Sequence, residues 1–140
     1  MPKLLLFAPC EKVIIGQGDN LVSLIGILHS IQLNSPTPIM PDAIMPINWA
    51  FFALWQKEPE DGDALFEQRV TIEPPLGNEG EFLATFQMDK ESHRVAQSVV
   101  GLPVGIAGIH IIRLYLRRKD KDDWSLVTSY PLTIQHPKRS

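Results

Sequence analysis

Apolar and polar residues alternate along the last third of the chain. Over residues 107–118, Ile112, Leu114 and Leu116 are apolar while Arg113, Tyr115 and Arg117 fall between them, the period-2 pattern of a strand with one wet face. Over 124–134, Trp124, Leu126, Tyr130, Leu132 and Ile134 share one parity, and Ser125, Ser129 and Thr133 hold the other. The charged run 119–123 between them reads as an exposed tip, so the two segments form a hairpin with Trp124 and Leu126 turned inward.

The same reading extends upstream. Residues 4–8 and 12–15 are short apolar runs separated by Pro9, Cys10 and Glu11, which predicts a first strand broken or bulged there and placed at a sheet edge. A Gly- and Asn-containing turn at 16–20 leads into 21–31, which is apolar on both parities. That segment is expected to be one strand covered on both faces, because its β-branched residues and Gly26 disfavour a helix. The stretch 34–46 holds four prolines, which argue against helix and central strand alike and predict a long loop packed on the body through Ile39, Met40, Ile44 and Met45.

Residues 47–56 form the strongest core segment, with Trp49, Phe51 and Trp55 on one parity and Phe52 and Leu54 on the other. An acidic turn at 57–63, taken as a solvated tip, precedes a second hairpin. In its first strand, 65–73, Phe66, Val70 and Ile72 face inward and Glu67, Arg69, Thr71 and Glu73 face water. In its second, 81–88, Phe82, Ala84, Phe86 and Met88 face inward. A weaker strand at 93–100 and a turn at 101–105 lead to the closing hairpin, and 137–140 reads as a frayed tail. About eight strands with no helical period predict an all-β fold: a two-sheet antiparallel β-sandwich, immunoglobulin-like or C2-like, as a single domain over 1–136.

Composition narrows the setting. Hydrophobic residues at 44% and charged residues at 21% suit a globular chain, and no apolar run approaches the roughly 20 residues of a membrane helix. The apolar stretch 4–8 is too short for the core of a signal peptide. Cys10 is the single cysteine, so no internal disulfide forms and a reducing, cytoplasmic compartment is expected. A net charge of -3, with Asp120, Asp122 and Asp123 breaking the densest cationic run, excludes nucleic acid and membrane as expected partners.

The search for chemistry assigns no catalytic, cofactor-binding or metal-binding residue, and the chain is expected not to be an enzyme. Cys10 has no local signature with His29, His93, His110 or His136, and a lone cysteine beside a strand is usually a small core residue. The histidines lack ligand spacing, and the carboxylates at 58–63 lack a calcium-loop pattern. Gly16 and Gly18 lack the helix that a dinucleotide fingerprint needs, and Glu67 and Glu73 look like an ordinary wet face.

Residues 10–15, 24–27, 49–55, 66–70, 113–116 and 130–134 together resemble a family of short bacterial proteins of unknown function. The resemblance spans nearly the whole chain, consists of strand residues without a catalytic signature, and implies a bacterial β-sandwich. What stands out is surplus apolar surface: both faces of 47–56, both faces of 21–31, and the loop. The favoured reading is a non-enzymatic protein-interaction or structural module that binds a protein partner or forms a homodimer, with Ile39, Met40, Ile44, Met45, Trp49, Phe52 and Trp55 as the candidate surface. The alternative is a small-ligand carrier or hydrolase with its site near Cys10 or under the 34–46 loop.

Overall fold

The computed structural model describes residues 1–121 and 123–137 and has nine strands among them. In chain order these are β1 (Lys3–Ile15), β2 (Val22–Ile27), β3 (Ser30–Gln32), β4 (Ile44–Gln56), β5 (Leu65–Glu73), β6 (Gly80–Gln87), β7 (Ser92–Pro103), β8 (Gly108–Arg118) and β9 (Ser125–Gln135). They make a four-stranded sheet ordered β2-β1-β4-β7 and a five-stranded sheet ordered β3-β9-β8-β5-β6. The fold is the all-β sandwich that the alternation predicts. Apart from Pro137, the expected frayed tail lies outside the described residues, as does Asp122 of the charged tip.

The inner faces meet in one apolar cluster. Trp49, Phe51, Ala53 and Trp55 of β4 pack against Phe66, Val70 and Ile72 of β5, Phe86 of β6, and Ile112, Leu114 and Leu116 of β8. The aromatic rings interlock, with Trp49 edge-on to Phe51 at 4.8 Å and Phe51 tilted against Phe82 at 5.3 Å. One polar string crosses this core: Trp55 Nε1 donates to Gln68 Oε1 at 3.0 Å, and Gln68 Nε2 donates to Gln97 Oε1, joining β4, β5 and β7. Gln68 shares the parity of Phe66 and Val70 and is fully buried.

Several expectations need correction. β1 is continuous and internal to its sheet: residues 3–10 pair with β4, 10–15 pair with β2, and the bulge falls at Leu4/Leu6 rather than at Pro9. Pro9 is tolerated because its carbonyl, accepting from Leu28 N at 2.9 Å, faces a point where β2 has already ended. The segment 21–31 is two strands, because the chain crosses between sheets at buried Leu28 and β3 then pairs with β9 in parallel. Prolines do not keep 44–46 in the loop: β4 starts at Ile44 and absorbs Pro46 in a register shift between Met45 and Asn48.

A bulge also reverses one parity. Between the pairs Leu114↔Thr128 and Tyr115↔Leu126, Val127 is the extra residue. Val127 therefore packs on the core, Leu126 stands exposed on the outer face, and Trp124 lies against the Arg117 guanidinium at 4.2 Å. On the outer face of the five-stranded sheet, Arg69 pairs with Glu81 at 2.9 Å, Arg117 with Glu67 at 2.9 Å, and Arg113 with Glu73. Among these pairs Thr71 is fully buried rather than washed by water. In the acidic turn, likewise, Asp61 is buried, its Oδ2 accepting Glu58 N at 2.8 Å.

Candidate functional site

The two-faced apolar character of β4 has a local explanation. Past Cys10, β1 leaves β4 and forms with β2 a two-stranded arm closed by a tight turn. Gly16 N donates to Leu21 O at 2.7 Å, Asp19 Oδ1 accepts Leu21 N at 3.1 Å, and Gly18 (φ 90°) and Asn20 (φ 60°) take the left-handed backbone that such a reversal needs. The tip reaches across the sheet to its far strand: Arg94 of β7 donates through Nη2 to Asn20 Oδ1 at 2.8 Å and through Nη1 to Asn20 O at 3.3 Å.

The arm therefore lies over the outer face of β4 and β7. Leu21, Val22 and Leu24 share one cleft with Phe52, Leu54 and Arg94. Glu11, Val13 and Ile15 share another with Asn48, Ala50, Ser98 and Val100. This cover leaves Phe52 only 1% exposed and buries Ala8, Cys10 and Ala50.

The arm has its own outer side, and nothing among the described residues covers it. Ile14, Ile25 and Ile27 stand there 46%, 45% and 49% exposed, with Lys12 as the neighbouring cation. Ile25 and Ile27 are two apart on β2, and Ile14 sits diagonally across from Ile25 through the Ile14↔Ser23 pair, so Ile25 lies between the other two and neighbours each of them. β2 is also a sheet edge without a charged residue or proline. Charge and proline are the usual devices that keep an exposed edge from pairing.

The candidate residues read from the sequence separate into two groups. Trp49, Phe52 and Trp55 are buried by the chain itself, the first and last in the core and Phe52 beneath the arm, because each face of β4 has an intramolecular cover. Met40 and Ile44 stay exposed, while Ile39 and Met45 are half-buried along a shallow cleft under the 34–46 loop with Leu33 and Val104. The loop is held by Ala43 N to Met40 O at 3.0 Å and Val104 N to Ala43 O at 3.1 Å. Gly105 allows this close approach, since a Cβ there would run into the Pro41 carbonyl. Sequence reasoning flags both apolar faces of 21–31 but does not single out Ile14, Ile25 and Ile27; the signal for the last two is their shared parity on either side of Gly26.

Reactive groups do not converge. The Cys10 thiol is fully buried, and burial pushes its pKa up from the ordinary 9.0, the opposite of an activated nucleophile. His110 Nε2 lies 3.0 Å from Ile106 O, His136 Nε2 2.7 Å from Val104 O, and His93 stacks on Phe86 at 5.3 Å. Burial lowers the His93 pKa from 6.5; Asp89 pulls it back up, while Lys90 and Arg94 push it down further. Among the described residues no group of three or more His, Cys, Asp or Glu is placed to hold a metal ion, and no helix is long and apolar enough to cross a membrane.

No protein-family model matches the chain, and no curated protein matches it.

Proposed function

We propose that residues 1–136 act as one non-enzymatic, immunoglobulin-like interaction module that pairs with a second copy of itself through the outer side of the β1–β2 arm. The observation that carries this is the half-exposed Ile25 and Ile27 of the uncharged edge strand β2, with Ile14 of β1 beside Ile25. Exposed Met40 and Ile44 of the 34–46 region offer a second apolar contact for a protein partner. The immunoglobulin-like reading is supported by strand order: β1-β4-β7 runs as A-B-E would, and β9-β8-β5-β6 as G-F-C-C′. A bacterial, cytoplasmic setting accords with the strand motifs and with Cys10 as a buried free thiol.

Lys12, pairing with Ile25 in the arm, supplies the test. In an equimolar mixture of isotopically light and heavy protein, an amine cross-linker should yield mixed light–heavy Lys12–Lys12 products. Mixed products confined to the lysines of the 119–121 tip would place the contact elsewhere and sink the proposal.

A further inference from the structure

A separate cavity opens between the two sheets on their β6/β7 side. Its volume is about 350 Å³, at the small end of the roughly 300 to 1,000 Å³ typical of ligand pockets. Trp49, Phe82 and Val99 supply apolar walls, Asn78, Ser98 and His110 supply polar atoms, and no charged side chain lines it. Gly80 is the reason the space exists. It pairs with Ile72, whose side chain faces the core, so a side chain at 80 would point between the sheets, where Phe82 at 3.9 Å is the nearest obstacle.

Two hydrogen bonds set the polarity of the walls. Trp49 Nε1 donates to Gly101 O at 2.9 Å, so the indole is held as a fixed apolar surface. His110, 2% exposed, has Nε2 at 3.0 Å from Ile106 O; a carbonyl only accepts, so the ring proton sits on Nε2. In the uncharged imidazole Nδ1 is then an acceptor. This combination disfavours a charged ligand, which would lose its hydration without meeting a counter-ion.

We infer that this cavity is a binding site for a small, neutral, flat apolar molecule carrying one hydrogen-bond donor. The cavity lies in the space between the two sheets, whereas the arm lies on the outer side of β4 and β7.

The experiment is an amide and indole NMR titration of the full chain with indole, with benzoate as a charged molecule of similar size. Indole should give saturable shifts at the Trp49 indole N–H and at the amides of Gly80, Val99 and Gly101, and benzoate should bind at least about tenfold more weakly. Gly80→Ile fills the cavity at a position whose backbone needs no positive φ, and β-branching suits a strand. That variant should melt no lower than the wild type and lose the indole shifts. Absent or non-saturating indole shifts overturn the inference, as do equal benzoate binding and undiminished indole binding in Gly80→Ile. If Gly80→Ile misfolds, the indole and benzoate titrations of the wild type decide alone.

Discussion

Trp49 and Gln68 show what single side chains contribute here. Trp49 is 2% exposed and touches both β4 and β7 partners, so Trp49→Ala should cost about 3 to 5 kcal/mol in denaturant unfolding. Gln68→Met keeps the volume but strands the Trp55 indole N–H in the core, and a loss of about 1 to 3 kcal/mol is expected. An unchanged midpoint for either would mean the core is misplaced. Two titrations follow from burial. The folded Cys10 thiol keeps its proton above the pH at which the unfolded thiol loses it, so its contribution is complete below pH 9.0 and declines as pH rises past it. His93 is the reverse. The unfolded ring takes up a proton near pH 6.5 before the folded one does, so stability falls as pH drops through that value. Melting temperatures between about pH 8 and pH 5 should therefore fall less steeply in His93→Phe, which keeps the stack on Phe86, than in the wild type. Sequence places Trp49 in the strongest core segment while also offering it as candidate surface, and the structure puts it in the core. Sequence does not show Gln68, Thr71 or Asp61, because their residue types read as wet and their burial depends on partners distant in the chain.

At the scale of elements, the alternation of β6 and β8, and of β5 apart from Gln68 and Thr71, is legible, because each has one face on the core and one toward solvent. Legibility fails where a strand changes partner. β1 reads as two pieces because its pairing passes from β4 to β2 at Cys10, and 21–31 reads as one piece because no turn residue marks the crossover at Leu28. The reversed faces at Leu126 and Trp124 follow from a single bulged residue, which no period can reveal. The arm is held at its tip by Arg94, an exposed contact whose loss should change global stability by no more than about 1 kcal/mol. Arg94→Ala should instead speed amide exchange across β2 relative to β4. Equal exchange in the variant and the wild type would show that the clefts alone hold the arm down.

For the whole molecule the question is where the surplus apolar surface goes. Both faces of β4 are covered intramolecularly, one by the opposite sheet and one by the arm. Covering β4 in this way moves the exposed surface outward, onto Ile14, Ile25 and Ile27, and the account assigns that surface to a second copy. The decisive measurement is solution mass by light scattering after size exclusion, over a wide concentration range, for the wild type and for a variant carrying Ile25→Lys and Ile27→Lys. The account predicts a wild-type mass near twice 15.7 kDa that falls to 15.7 kDa in the variant without loss of fold. A wild type that stays at 15.7 kDa at every concentration, or a dimer indifferent to both substitutions, would contradict it.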